Sequence, residues 1–208
     1  MKEEKLQKLF EESFKKIQEV LKDAETLLEF EKKDIETLKL RKDLLISWAD
    51  EIIDHFYDVL LRDEKAKSIL EKHNINLEKL KEGNKNWYKR IVSGEVDEEF
   101  FKYSFYVGLL HIYYGVDNDL MIFMADVLRR KFLQLCLETF EEGEAFEVYT
   151  AFSKIVAAFV GFTVEGYVFM LKHAMLDILG MKPELVTRMM NMELETFIKG
   201  FREYFKKS

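Results

Sequence analysis

The fold is decided by a stretch in the middle of the chain, Phe105-Tyr106-Val107-Gly108-Leu109-Leu110-His111-Ile112-Tyr113-Tyr114-Gly115-Val116. It lies within the longest segment that has no charged residue, which runs for 14 residues from Tyr103 to Val116. A bilayer span needs about 20 apolar residues, so this segment is too short to cross a membrane and is typical of a buried core helix. His111 stands alone among these apolar and aromatic side chains, and Gly115 follows at a position that commonly ends a helix.

The composition of the whole chain predicts an all-α fold. Of its 208 residues, 48% are hydrophobic and 34% are charged, so the chain is able to bury a core of its own. Nine glycines and one proline leave few residues that break helices, and the charged residues are mostly Glu and Lys, which favour helices. Aromatic residues make up 14% of the chain, enough to fill a large core or to line a pocket for a flat ligand.

Charge and cysteine content exclude several classes of function. The formal net charge of -7 argues against a protein that binds nucleic acid by neutralising many phosphates. A single cysteine, Cys136, excludes an internal disulfide framework and a cysteine-rich zinc site. The N-terminus opens directly into a charged amphipathic pattern, without the apolar segment of a secretory signal. We therefore expect a cytoplasmic protein that binds neither nucleic acid nor a membrane.

Capping residues predict where most of the helices begin and end. Amphipathic helices are predicted over 5–30 and 33–62, the second with a bend near Ser47. Asn76 is placed to cap a helix over 77–92, and Asp97 is placed to start a helix that stops near Gly115. The remaining predicted helices cover 119–140, 146–179 and 184–206, with an acidic turn at 141–144.

These elements predict one globular domain with an additional helix at each end. The predicted division is an N-terminal extension over 1–31, a central domain over 32–180 and a C-terminal helix over 181–208. Gly180 and Pro183 mark the second boundary, because glycine commonly follows a helix end and proline commonly begins a helix. The chain shows no internal repeat or low-complexity linker that would divide it further.

Four histidines are candidates for chemistry, and His111 has the most unusual surroundings. None belongs to a His-x3-His pair or has a cysteine close by in sequence, so a multi-histidine metal site would have to be assembled by the fold. An imidazole on an apolar face is either a ligand or a core residue whose nitrogens bond to the backbone. The local sequence leaves both interpretations open.

Four strings carry a family resemblance. Gly108-x-x-His111-x-x-x-Gly115-Val116 resembles the proximal-histidine motif of the globin-coupled sensors and protoglobins. The segment from Ala49 to Leu61, in which Tyr57 directly follows Phe56, resembles that family's B helix. Trp87-Tyr88, followed by Ser93-Gly94 and Asp97-Glu98, resembles its E helix and the turn into the F helix, and Glu165-Gly166-Tyr167 resembles the end of its H helix. All four lie in the family's order over about residues 33–170, with His111 54 positions after Tyr57.

The resemblance implies a globin fold that holds haem b, with His111 as the axial iron ligand. It implies that Tyr57 and the preceding Phe56 lie on the distal side, where the Tyr57 phenol would donate a hydrogen bond to a bound diatomic ligand. The register of the E helix adds Leu80 as a distal contact. Val107 and Tyr114 flank His111, and they are expected either to touch the proximal face of the haem or to serve as ordinary packing.

The function implied by the resemblance is reversible binding of O2, CO or NO at ferrous haem iron, without an enzymatic reaction. Because the resembled family pairs through its G and H helices, a homodimer is expected. Most chains of that family continue into a signalling domain, whereas this sequence stops 28 residues after Gly180, so any signalling is expected to act through a separate partner. The alternative is a haem-free globin-like interaction module whose pocket is filled by side chains. A haem-binding globin and a haem-free module differ in whether His111 faces an open slot or a packed core.

Overall fold

A computed structural model describes residues 2–207 of the chain. These residues form ten α-helices and one π-helical turn, with no strand among them. In chain order they are α1 (Lys2–Leu27), α2 (Lys32–Lys39), α3 (Lys42–Ser47), α4 (Ala49–Leu60), α5 (Glu64–Lys72), α6 (Leu77–Val92), α7 (Glu98–Tyr114), α8 (Asn118–Thr139), α9 (Glu142–His173), the π-helical turn (Ala174–Ile178) and α10 (Pro183–Lys207). The predicted all-α fold class is confirmed.

The chain divides into two compact units, Met1–Tyr167 and Val168–Ser208. The first unit contains α1 to α8 and most of α9, and the second contains the end of α9, the π-helical turn and α10. The domain boundaries predicted from the sequence, after residues 31 and 180, stay a prediction.

Side-chain caps define where α6 and α7 begin. The Asn76 side chain accepts a hydrogen bond from the Lys79 amide at 2.9 Å and so starts α6. The Asp97 carboxylate does the same for the Phe100 amide at 2.8 Å and starts α7. Gly115 ends α7 in the left-handed conformation with φ 73°, which costs glycine little because it has no Cβ. Both helices therefore begin and end where the sequence predicts.

The tract over 33–62 forms three helices, one more than the two-helix interpretation of the sequence. The bend expected near Ser47 is present, but a second break separates α2 from α3 at Leu40 and Arg41. Arg41 donates to the Thr37 carbonyl at 2.9 Å and pairs with Glu144 of α9 at 2.7 Å. This ion pair at the break joins residues 103 positions apart, so no local pattern predicts the contact.

Helix α5 lies in a segment for which the sequence predicts no element, and α9 extends into the predicted turn over 141–144. Asp63 caps α5 by accepting from the Ala66 amide at 2.8 Å. Helix α9 begins at Glu142, so Gly143 lies in its first turn and the expected acidic turn over 141–144 is almost entirely helical. The predicted helix over 146–179 ends as a π-helical turn over Ala174–Ile178.

One continuous helical segment, Glu142–Ile178, is long and apolar enough by length and composition alone to cross a membrane. Core helices of soluble proteins meet the same criterion, and 33% of its most apolar window is buried inside the protein. In α9, ten residues from Ala145 to Gly166 are buried. This segment is therefore weak evidence for a membrane span.

Aromatic side chains form the centre of the first unit. Phe132 of α8 stacks on Phe152 of α9 with ring centroids 3.8 Å apart, and Tyr88 of α6 packs edge-on against both. The Tyr88 hydroxyl donates to the Leu45 carbonyl at 2.8 Å, which satisfies a fully buried polar group and ties α6 to α3. Through Tyr88, this core fixes α6 against α3, α8 and α9.

Helices α7 and α9 cross with their backbones in contact. A Cβ added at Gly108 would lie 2.1 Å from the Thr163 carbonyl oxygen, and one added at Gly166 would lie 2.2 Å from the Phe105 carbonyl oxygen. The Thr163 hydroxyl shares its one hydrogen between the Phe159 carbonyl of its own helix at 2.9 Å and the Ser104 carbonyl across the crossing at 3.1 Å. Only glycine fits at the two contact points, and the crossing lies one helical turn before His111.

The second unit is built mainly from α10, an amphipathic helix. Its described side chains are exposed apart from Val186, which is partly buried. Gly180 precedes it with φ 68° and Pro183 begins it, as the sequence predicts for a helix boundary. Large apolar side chains of α10 are exposed, among them Leu185, Met189, Phe197 and Phe201.

Candidate ligand cavity

A cavity of about 420 Å³ lies inside the first unit and is lined by residues of α4 to α9. Ligand sites in proteins usually enclose about 300–1,000 Å³. Most of the side chains that line it are aliphatic, methionine or phenylalanine, and polar groups come from six residues: Tyr57, Asn84, Trp87, Tyr103, His111 and Tyr114. This is the make-up of a site for a largely apolar ligand with a few directed polar contacts.

His111 brings a neutral imidazole to the cavity from the last turn of α7. Burial lowers the pKa of this imidazole from 6.5 to about 4, so the ring is uncharged at neutral pH. Its Nδ1 is enclosed by protein and has no hydrogen-bond partner among the described residues. A neutral imidazole is the form that coordinates a metal, and the ring nitrogen left to face a ligand is Nε2.

Tyr57 brings a buried phenol to the same cavity from α4. The side chain is 1% exposed, and its hydroxyl accepts a hydrogen bond from the Asn84 side-chain amide of α6 at 2.8 Å. Burial raises the pKa of this phenol well above its ordinary value of 10, so the hydroxyl keeps its proton. A hydroxyl has one hydrogen and two acceptor positions, so the bond from Asn84 leaves the Tyr57 hydrogen available to donate.

Ion pairs hold α4 against α6 at the edge of the cavity. Lys81 contacts Asp54 at 2.8 Å and Lys85 contacts Asp50 at 2.6 Å. The Lys81 ammonium also lies 5.8 Å from the centre of the Tyr57 ring, within the range of a cation–π contact. The carboxylates are exposed, so each pair contributes little to stability, and both pairs bridge the two helices that carry Tyr57 and Asn84.

All six residues singled out in the sequence line this cavity: His111, Tyr57, Phe56, Leu80, Val107 and Tyr114. They come from three helices, α4, α6 and α7. Their roles toward a cofactor stay predictions, because a shared cavity establishes proximity but no bond.

The other histidines lie outside the lining of the cavity. His55 is exposed on α4, and His173 pairs with Asp177 at 2.9 Å in the second unit. His73 follows α5 and packs edge-on against Tyr114, with ring centroids 5.1 Å apart. Within residues 2–207, His111 is therefore the one imidazole that lines the cavity.

Several cavity residues were missed in the sequence, and Asn84 is the most consequential. Leu80, Asn84 and Trp87 occupy positions i, i+4 and i+7 of α6, which lie on one helix face. Once Leu80 is assigned to the cavity, helical spacing alone identifies the other two. Phe159 of α9, which packs against Trp87 with ring centroids 4.7 Å apart, had no such signal because its helix is apolar on most sides.

The cavity residues fit haem. Haem iron requires one or two protein ligands, and a neutral imidazole such as His111 is the usual first one. The porphyrin requires an apolar slot, which the cavity lining supplies. No group of three or more His, Cys, Asp or Glu placed to hold a metal ion occurs in the part of the chain that the structure describes. An isolated imidazole in an apolar cavity suits an iron whose remaining ligands come from the porphyrin.

The fold is that of a globin. The structure superposes on the globin domain of a globin-coupled sensor from Geobacter sulfurreducens with a TM-score of 0.64 and 22% sequence identity. The match covers 70% of this chain and 96% of that one. At this identity the likeness establishes the fold alone, and it confirms the fold expected from the resemblance.

The family model for protoglobin matches residues 17–171. This is well over half of the chain and includes α2 to α8 together with most of α9. The chain therefore belongs to the protoglobin family. No curated protein matches it.

Proposed function

We propose that the protein binds haem b in this cavity and reversibly binds a diatomic gas at the ferrous iron. The observation that carries the proposal is the neutral His111 imidazole lining an open apolar cavity of about 420 Å³. A haem-free module would be expected to fill this space with its own side chains. The open cavity therefore favours haem over the haem-free interaction module.

Each cavity residue has a distinct task in this proposal. His111 would hold the iron through Nε2, because its Nδ1 is covered by protein. The iron would supply the coordination position for a diatomic ligand. Tyr57 would donate a hydrogen bond to that ligand from the distal side, while Phe56 and Leu80 would exclude water from its surroundings. Val107 and Tyr114 would pack beside His111 on the proximal face.

The wider assignments follow from the same family membership. We propose that the protein acts in the cytoplasm as a gas-binding or gas-sensing globin, that it passes any signal to a separate partner, and that it requires no enzymatic step. We also propose that it forms a homodimer through α8 and α9, the helices that correspond to G and H of a globin. Large apolar side chains are exposed on both helices, including Phe123 and Phe146.

The test of haem binding is the visible spectrum of the purified protein before and after haem addition, and then with dithionite and CO. We expect a strong Soret band that shifts on CO addition in the wild type. His111→Ala should lose or strongly alter the band, because the iron loses its axial ligand. His55→Ala removes an exposed histidine outside the cavity lining and should leave the spectrum unchanged. A wild-type protein that takes up no haem would refute the proposal and leave the globin fold standing.

A further inference from the structure

In the hydrogen bond between Asn84 and Tyr57, Asn84 is the donor and Tyr57 is the acceptor. The Asn84 amide nitrogen lies 2.8 Å from the Tyr57 hydroxyl oxygen and donates to it. An amide nitrogen only donates, so the phenol oxygen is the acceptor in this pair. The Tyr57 hydrogen is therefore free to point elsewhere, and the cavity that Tyr57 lines is the space open to it.

The surroundings keep this arrangement fixed. Tyr57 is buried and packs edge-on against Phe56, with ring centroids 5.2 Å apart, so the ring has little freedom to turn. Two ion pairs bridge α4 and α6 beside this bond, Lys81 with Asp54 and Lys85 with Asp50. The phenol is protonated at neutral pH, and burial raises its pKa further above the ordinary value of 10. The hydroxyl is thus a preorganised donor rather than one that must be reoriented when a ligand arrives.

We propose that Asn84 is a positioning residue that sets the ligand preference of the site by holding Tyr57 as a hydrogen-bond donor. This inference rests on the proposed haem function. A bound dioxygen molecule carries negative charge on its outer atom and accepts a strong hydrogen bond, whereas bound CO is a weak acceptor. The arrangement therefore favours dioxygen over CO.

The sharpest variant is Asn84→Asp, because it reverses the direction of the bond with little change in size. A carboxylate accepts, so it would draw the Tyr57 hydrogen toward α6 and away from the ligand. We expect the dissociation rate of dioxygen to rise about tenfold or more, which is the scale for losing a hydrogen bond to a charged acceptor. The CO dissociation rate should change by less than about twofold, because CO gains little from the donor.

Four further variants test whether Asn84 acts through Tyr57. Tyr57→Phe should reproduce the effect of Asn84→Asp, and the double variant should be no worse than Tyr57→Phe alone, because both changes remove one donor. Asn84→Leu removes the bond without reversing it and should raise the dioxygen dissociation rate severalfold, and it serves if the aspartate variant does not fold. Gly83→Ala is the matched control, since a Cβ there meets no atom within 4 Å.

A spectroscopic readout tests the direction of the bond without any ligand. Ultraviolet resonance Raman spectra of tyrosine distinguish a phenol that accepts from one that donates, and subtraction of the Tyr57→Phe spectrum isolates Tyr57. We expect Tyr57 to accept in the haem-free wild type and to donate in Asn84→Asp.

The outcomes separate this inference from the proposed function. If the wild type binds haem but Asn84→Asp changes dioxygen and CO dissociation alike, or adds to the effect of Tyr57→Phe, the positioning role is overturned and haem binding stands. If the wild type binds no haem, the proposed function fails and the ligand preference fails with it. An effect confined to dioxygen and absent from the double variant supports the role of Asn84.

Discussion

At the scale of single residues, the state of His111 determines how the haem-free protein responds to acid. Above pH 6.5 the imidazole is neutral in both the folded and the unfolded chain, so it causes no loss of stability. Between pH 6.5 and about 4 the unfolded chain takes up a proton that the folded protein refuses, because burial lowers the folded-state pKa to about 4. The free energy of unfolding therefore falls as the pH falls through this window, and the loss levels off below it.

We predict a loss of about 2 kcal/mol between pH 7 and pH 5 from this residue alone. Urea unfolding of the haem-free wild type and of His111→Gln at the two pH values isolates the contribution, since the other titrating groups are common to both. The wild type should lose more stability than the variant over this interval. Equal losses would show that the imidazole takes up its proton in the folded state as easily as in the unfolded chain.

At the scale of elements, the crossing of α7 and α9 positions the helix that carries His111. Gly108→Ala would place a Cβ 2.1 Å from the Thr163 carbonyl oxygen, so the helices would have to move apart. We expect a destabilisation of about 1–3 kcal/mol or more and, if His111 holds haem as proposed, faster haem loss because His111 moves with α7. Urea unfolding and haem transfer to an acceptor globin measure the two effects.

The matched control for this prediction lies on α9, the other helix of the crossing. A Cβ added at Gly161 meets no atom within 4 Å, and the residue lies in the interior of α9. Gly161→Ala should therefore stabilise the protein by up to about 1 kcal/mol through helix propensity alone. Equal effects of Gly108→Ala and Gly161→Ala would contradict the close crossing.

Elements were predictable where a local signal decides them. Asn76, Asp97 and Gly115 mark the ends of α6 and α7 through caps that involve neighbours in sequence, and the structure places these ends where the sequence indicates. At the break between α2 and α3, Arg41 pairs with Glu144 of another helix, and no local window of sequence contains both residues. The same holds for the cavity. Its motif residues are predictable from the sequence, whereas the hydrogen bond from Asn84 to Tyr57 depends on the packing of α6 against α4 and is not.

At the scale of the whole molecule, the proposed dimer makes a prediction about exposed side chains. Phe123 on α8 is 66% exposed and Phe146 on α9 is 68% exposed. If α8 and α9 form the dimer, Phe123→Asp and Phe146→Asp should each raise the dimer dissociation constant by about tenfold or more, because an unpaired charge would be buried. Sedimentation velocity over a range of concentrations gives this constant.

Phe197 on α10 offers a comparison, since it is 62% exposed but lies in the second unit. Phe197→Asp should leave the dimer unchanged. A dimer that is lost only in Phe197→Asp would place the contact on α10, and a wild type that stays monomeric at every concentration would refute the dimer.

The crossing of α7 and α9 also limits how the sequence can vary over evolutionary time. In most cores a larger side chain at one position is accommodated when a neighbouring side chain becomes smaller. At Gly108 and Gly166 the nearest atoms belong to the main chain of the opposite helix, which every amino acid shares. No second substitution makes room there, so descendants that keep this crossing are expected to keep both glycines together, however far the rest of the sequence diverges.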